Sequence, residues 1–277
     1  VFELDKGLEI VELALKEDMP AGDLTTDAIF CGETEIVSAK VETREGCVVA
    51  GFPAIEKAVR YFPDIELSVF HVDGDVVSAG DIIYTITGHP ASILKVERTL
   101  LNFLQRLSAI ATRTRATVDL LAETSIRLLD TRKTSPGMRH LEKYAVQVGG
   151  GHNHRFCLSD GILIKENHIR AAGSIETAIH HCREYAPHLS KVEIEVETLV
   201  QLDEALAAGA DGILLDNMST EEIADACTRK ENYSFFIEVS GGITESRIAQ
   251  LADLDIDYIS MGALTHSAGI IDMTLLF

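Results

Sequence analysis

The sequence is short of cations. Its 277 residues carry 24 Lys and Arg against 44 Asp and Glu, for a formal charge of −20. There is no overall basic excess to follow a nucleic-acid backbone or an anionic membrane surface, so neither is expected as a partner. Long apolar runs are missing too, and none approaches the ~20 residues that span a bilayer. The N-terminal stretch VFELDKGLEIVELALKEDMP has no basic start ahead of an apolar core, so no signal peptide is expected. Cysteines are few: Cys31, Cys47, Cys157, Cys182 and Cys227. Their odd number, long spacings and lack of a CxxC argue against a disulfide framework or a thiolate metal site. They argue for a reducing, cytoplasmic setting. No His spacing suits zinc, and no His, Cys and acid constellation for nucleophilic catalysis is evident. His180 and His181 are adjacent on a predicted helix, so they lie on different faces. Low-complexity linkers and solenoid-length repeats are absent as well.

The cations that do exist are concentrated. Residues 98–170 hold 12 of the 24 Lys and Arg but only 6 of the 44 Asp and Glu, so this segment is net +6 and the remainder net −26. A strongly acidic chain that gathers half its cations in this way is expected to bind a small anion there.

A hydrophobic fraction of 46% and a charged fraction of 25% suit a folded globule. The length allows one large domain or two smaller ones. Residues 7–17 have near-helical apolar spacing that ends before Pro20 and a Gly22-Asp23 turn. Strand character follows at 35–43, 47–50, 65–72 and 82–87, with a helix from Pro53 to Phe62. A long helix is predicted from about Ala91 to Glu123, with Leu94, Leu100, Leu101, Leu104, Leu107 and Ile110 as its apolar stripe. The texture then changes. Short apolar runs at 126–129, 162–164, 192–196, 213–215, 235–239 and 258–260 alternate with helix-like segments at 174–185, 199–208, 220–228 and 245–252. This is the pattern of parallel β/α units. Six strands fall short of the eight that close a regular barrel. The fold class expected is therefore α/β: an N-terminal, sandwich-like α+β domain over 1–110 and an incomplete parallel β/α barrel over 111–277. The last residues are free to return to the N-terminal domain.

In β/α barrels the chemistry sits at the C-terminal ends of the strands. Here those ends read Asp130-Thr131-Arg132-Lys133-Thr134, Lys165-Glu166-Asn167-His168, Asp216-Asn217, Ser240-Gly241-Gly242 and Met261-Gly262. Glu193 and Glu195 alternate with Val192, Ile194 and Val196, which points both carboxylates to one face. One or two polar ends are ordinary; this many together signal a site. Ser240-Gly241-Gly242 reads either as a tight turn or as a backbone cradle for phosphate. Arg132, Lys133, Arg139, Arg155 and Lys165 suit carboxylate or phosphate binding, and each taken singly also suits a solvated surface. Lys165 ends an apolar run, where a buried ammonium needs an anionic partner. Glu195 and Asp216, on neighbouring strands, could hold Mg²⁺ or simply pair with nearby cations. Gly149-Gly150-Gly151, ahead of His152-Asn153-His154-Arg155, reads as a mobile loop.

Nearly the whole chain resembles the quinolinate phosphoribosyltransferase family. The resemblance runs from Glu17-Asp18 and Gly22-Asp23-Leu24-Thr25-Thr26 through Glu97-Arg98-Thr99-Leu100-Leu101-Asn102. Its most specific stretch is Asp130–Thr134, then Leu141-Glu142-Lys143-Tyr144-Ala145, Gly149–Gly151, Asn153-His154-Arg155 and Leu163–His168. The family joins quinolinate to phosphoribosyl pyrophosphate, releasing pyrophosphate and CO₂ and forming nicotinate mononucleotide, with Mg²⁺ (Mg2+) as cofactor. The resemblance implies that Arg132, His154, Arg155 and Lys165 bind the two quinolinate carboxylates. It implies that Arg98 joins them from the other subunit of a homodimer with shared sites, which either stops there or builds a hexamer. Lys133 would face the pyrophosphate or ribose. Glu195 and Asp216 would hold Mg²⁺ and the ribose hydroxyls, and Ser240, Gly241, Gly242 and Gly262 the 5′-phosphate. Two positions depart from the family pattern: Glu166 stands where Asp is usual, and Cys157 follows Phe156 where Gly is usual. A paralogous group associated with molybdenum uptake shares parts of these motifs but lacks the Lys-acid-Asn-His run intact at 165–168.

Two rival readings are a Schiff-base aldolase using Lys165 and a non-catalytic phosphosugar-binding protein. The first leaves the basic cluster and the acid pair without roles. The second leaves Arg132, Arg155 and Lys165 together unexplained.

Overall fold

The computed structural model describes residues 4–32 and 35–277. The first three residues of the stretch judged not to be a signal peptide lie outside these. The chain forms two compact units. One comprises Val1–Ala116, Lys133–Gly151 and Ala263–Phe277, and the other Thr117–Arg132 and His152–Gly262.

The first unit contains β1 (Val37–Thr43), β2 (Cys47–Val48), β3 (Glu66–Val69), β4 (Val76–Val77) and β5 (Ile82–Gly88). β1 and β5 pair antiparallel, with β3 beyond β5 and the C-terminal strand Met273–Leu276 on the far side of β1. Alternate residues Ala39, Val41 and Thr43 of β1 are buried, as are Tyr84, Ile86 and Gly88 of β5. That is the period-2 signature of a sheet with one covered face. The helix Pro90–Asp119 buries Ile93, Val96, Leu100, Leu104, Leu107 and Ile110. Their three- and four-residue spacing gives the helix one apolar face, and Leu94 sits only at its half-buried margin.

The glycine run at 149–151 corrects the expectation of a mobile loop. It caps the helix Arg139–Val148 and lies close against the long helix. A Cβ at Gly149 would come within 2.5 Å of the Ala111 carbonyl oxygen, and one at Gly151 within 2.8 Å of the Thr114 methyl. The absence of side chains serves close packing here rather than freedom of motion.

The second unit is a parallel sheet: β6 (Arg127–Leu129), β7 (Ile162–Ile164), β8 (Val192–Val196), β9 (Gly212–Asp216), β10 (Phe236–Ser240) and β11 (Tyr258–Ser260). The strand order is β6-β11-β10-β9-β8-β7, with no closed barrel among the described residues. This is the incomplete β/α barrel expected from six strands. The helices Ile175–Tyr185, Leu199–Ala207, Thr220–Cys227 and Glu245–Leu251 each begin behind a Ser or Thr (Ser174, Thr198, Ser219, Thr244) whose hydroxyl accepts a first-turn N–H. Each such cap contributes about 1 kcal/mol. On one face of the sheet Val192, Ile194, Val196, Ile213, Leu215, Ile237, Val239 and Ile259 are fully buried. The residues alternating with them include Glu193, Glu195, Asp216, Glu238 and Ser240. No helix among the described residues is long and apolar enough to cross a membrane.

Candidate active site

The pairing register of the parallel sheet places four of the predicted site residues, Lys165, Glu195, Asp216 and Ser240. Ile162 pairs with Val192 and Ile164 with Ile194, so the next residue of β7 comes level with the next of β8. Lys165 and Glu195 accordingly form an ion pair. Lys165 is about half exposed, while the Glu195 side chain is only 17% exposed. On the neighbouring strands Asp216 pairs with Ser240. Beyond them the Asn217 amide donates to the Ser240 carbonyl at 3.0 Å, and Asn217 Nδ2 donates to Asp216 Oδ2 at 2.8 Å.

This junction explains the glycines after Ser240. Gly241 and Gly242 have φ of +85° and +59°, the left-handed region that disfavours side chains. A Cβ at Gly241 would also meet Asn217 Oδ1 at 2.3 Å. A turn without side chains leaves its backbone N–H groups open to an anion. Gly262 lies two residues beyond Ser260, just past the end of β11.

Arg132 follows β6, and Arg155 lies on the segment that returns beside it. Asp130, fully buried, fixes that segment: it accepts from Asn153 Nδ2 at 2.6 Å and from the His154 amide at 2.9 Å. Arg155 Nη1 donates to the Gly161 carbonyl at 2.9 Å. The Arg155 pKa is lowered, first by burial and then by the positive charge of Arg132. Arg132 Nε is itself buried without a hydrogen-bond partner. Two guanidinium groups that repel each other, one with an orphaned buried N–H, form a site built for an anion.

His154 has a different surrounding from the one its neighbours suggest. Its Nδ1 accepts the Arg155 amide N–H at 2.7 Å, so the ring proton sits on Nε2. Nε2 lies 3.4 Å from Glu238 Oε2 and 3.6 Å from Glu193 Oε2. Burial pushes the Glu193 carboxyl up to about 9, with repulsion from Glu238 adding to it, and burial raises Glu238 to about 7. One carboxyl oxygen of each acid has no hydrogen-bond partner. His154, Glu193 and Glu238 lie close enough together to suggest a metal centre, but the tautomer speaks against it. A metal on Nε2 needs a proton on Nδ1, where the Arg155 N–H already points.

Arg98 and Lys133 belong to the first unit. Arg98 is exposed and lines a pocket of about 350 Å³ together with Glu17, Asp18, Asn102 and Arg106. Lys133 is exposed, and its carbonyl accepts from Thr265 Oγ1 at 2.8 Å. The segment after it is held by Glu142, a fully buried carboxylate that accepts from Arg106 Nη2 at 2.9 Å, Ser135 Oγ at 2.9 Å and the Ser135 amide at 3.0 Å.

Sequence reasoning named the cations and the edge carboxylates but gave no task to Asp130, Glu142 or Glu238. For Glu238 a signal existed. Like Glu193 and Glu195, it is an acid between aliphatic residues of an alternating strand.

The chain is similar to known proteins along nearly its whole length. Residues 110–276 match the quinolinate phosphoribosyl transferase C-terminal domain, and 23–108 match the N-terminal domain of the same family. The chain is 43% identical to a probable nicotinate-nucleotide pyrophosphorylase (carboxylating) of Bacillus subtilis, over 94% of this chain and 89% of that one. It is 41% identical to the protein of the same description from Methanocaldococcus jannaschii, over 98% and 97%. The crystal structure of NadC from Streptococcus pyogenes superposes with a TM-score of 0.91 at 43% identity, covering 97% of this chain and 95% of that one.

Proposed function

The chain belongs to the quinolinate phosphoribosyltransferase family, and from that premise we propose that it transfers the phosphoribosyl group of phosphoribosyl pyrophosphate to quinolinate with decarboxylation. The products are nicotinate mononucleotide, pyrophosphate and CO₂, a step of NAD biosynthesis. The observation that carries this reading is the cation site of Arg132 and Arg155 on the same unit as the carboxylates and the glycine turn.

In this reading the dicarboxylate binds Arg132, Arg155 and Lys165, with His154 beside them and Arg98 contributed by a second copy of the chain. Lys133 meets the pyrophosphate or ribose. Ser240, Gly241, Gly242 and Gly262 take the 5′-phosphate. The C1′–O bond breaks with its electron pair leaving on pyrophosphate, and the quinolinate nitrogen supplies the pair for the new C1′–N bond. Positive charge on the ribose develops toward Glu195 and Asp216, and negative charge on the leaving group toward Lys133. No protein nucleophile is needed, only two reactants held in line. Loss of CO₂ then leaves its electron pair at C2 of the ring, which takes up a proton beside the cationic ring nitrogen.

Glu195 and Asp216, hard carboxylate donors at neighbouring strand ends, would hold Mg²⁺, an ion that keeps several of its waters. Mg²⁺ there supplies neutralisation of the pyrophosphate charge. With Glu195 paired to Lys165, the ammonium must share or yield that carboxylate when the ion binds.

The domain reading is part of the proposal: residues 1–110 cap the site of the partner in a homodimer, and 111–277 carry the catalytic sheet. The two family matches, which meet between 108 and 110, support the place of that boundary. Five free cysteines suit a cytoplasmic enzyme.

Purified protein given Mg²⁺, quinolinate and phosphoribosyl pyrophosphate should release CO₂ and form nicotinate mononucleotide, and a chelator should stop both until Mg²⁺ is restored. Borohydride trapping of Lys165 with a carbonyl substrate would favour the aldolase instead. A folded protein that binds both substrates without turnover would sink the proposal.

A further inference from the structure

The reaction assigned above gives no task to Glu238. A carboxyl only 2% exposed, between the fully buried Ile237 and Val239, is costly to keep in a strand. Its company is specific. Glu238 Oε2 is the closer of the two carboxylate oxygens facing His154 Nε2, and the acid also bonds to the Ser260 hydroxyl on β11.

The imidazole of His154 is thereby engaged at both nitrogens. On one side Nε2–H faces Glu238, and on the other Nδ1 accepts the Arg155 amide at 2.7 Å. The ring links the middle of β10 to the backbone of Arg155, while Asp130 holds the main chain of the same segment through the His154 amide. The Arg155 guanidinium has one further anchor, the Gly161 carbonyl.

We infer that Glu238 is a positioning residue for quinolinate: it fixes the His154 ring, and the ring fixes the backbone from which Arg155 meets the substrate carboxylate. The inference rests on the assignment of Arg155 to quinolinate. It also reassigns His154 from a direct ligand of quinolinate to the connecting element between Glu238 and Arg155. Glu193 faces the same ring, but it lies two residues from Glu195 on β8, so a change there would disturb the ribose side as well. Glu238 is the cleaner position to test.

The test is steady-state kinetics with each substrate varied in turn. Glu238→Met keeps length and bulk but removes the acceptor. It should raise KM for quinolinate about tenfold or more, the worth of one hydrogen bond to a charged group, and leave KM for phosphoribosyl pyrophosphate within about twofold. Glu238→Gln keeps an acceptor oxygen for Nε2–H and should restore quinolinate KM to near wild type. Should Glu238→Met fold poorly, Glu238→Asn withdraws the oxygen by one methylene in a polar side chain and carries the same expectation. Adding Glu238→Met to His154→Ala should change little, because both act through one link.

Equal loss for both substrates, or a lowered Tm with unchanged quinolinate KM in the folded fraction, would mean a structural role and overturn the inference. So would additive effects in the double variant. Wild type and Arg155→Ala are measured alongside. An unchanged quinolinate KM in Arg155→Ala overturns the assignment of Arg155 and the link with it. An Arg155→Ala effect without a Glu238→Met effect overturns the positioning role alone.

Discussion

The two sheets of this protein bury their alternating residues for opposite reasons. In the antiparallel sheet of the first unit the covered positions include Ala39, Val41, Tyr84 and Ile86, and they supply cohesion. In the parallel sheet one face is aliphatic, and the other carries Glu193, Glu195, Asp216, Glu238 and Ser240 beside the buried Leu163 and Leu214. A sheet with carboxylates in its strand interiors gives up burial energy. The difference teaches where to look for chemistry: in the unit where buried polarity is least explained by folding.

The sharpest way to test the contrast is to join the two units across subunits. On the proposed homodimer with shared sites, Arg98→Ala and Lys165→Ala should each be inactive alone. Mixed with subunit exchange, they should recover about a quarter of wild-type activity, because half the dimers are mixed and each has one intact site. No recovery after confirmed exchange would mean that Arg98 does not act in trans.

Substitutions within each sheet should fail in different ways. Arg155→Ala should lower kcat/KM for quinolinate by roughly a hundredfold or more, at the level expected for a desolvated charge pair, with little change in Tm. Ile86→Ala should lose about 2–5 kcal/mol of stability and leave the KM values of the folded fraction unchanged. If thermal unfolding and kinetics showed the reverse pattern, the division between cohesive and chemical sheets would fail.

Gly241→Ala should do both at once. It forces a Cβ onto Asn217 at a left-handed φ, for about 1–3 kcal/mol of strain. It should also raise KM for phosphoribosyl pyrophosphate more than KM for quinolinate.

A further effect is expected on pH dependence. The folded-state pKa values of Glu193 and Glu238 are raised from 4.5 to about 9 and about 7. A raised pKa favours the protonated form in the folded state, so this contribution is fully present below pH 4.5 and is lost as pH rises through the folded values. Glu193→Gln should flatten the decline of Tm between those limits. An unchanged slope would show that this carboxyl is not held protonated.

Much of this was legible in one dimension. The helix-like segments at 174–185, 199–208, 220–228 and 245–252 fall on helices, and the six short apolar runs on β6 to β11, to within a residue or two. Strand-end residues such as Lys165 and Asp216 could be named because parallel β/α units put chemistry at one edge. The tasks of Asp130 and Glu142 could not, since each works by accepting hydrogen bonds from groups that only the folded chain brings near. Glycines 149–151 were misread for a related reason: without a neighbouring helix in view, close packing and mobility leave the same three letters.

The sequence by itself determined the order of elements, the alternation of the strands and the cluster of cations, because these follow from local periodicity and composition. Only the tertiary structure decided the pairings: Lys165 with Glu195, Arg132 beside Arg155, His154 turned to Glu238 rather than toward open solvent. Such partnerships depend on strand register and on which donor reaches a buried acceptor first. Those are properties of distances between residues far apart in the chain, and composition and local spacing do not specify them.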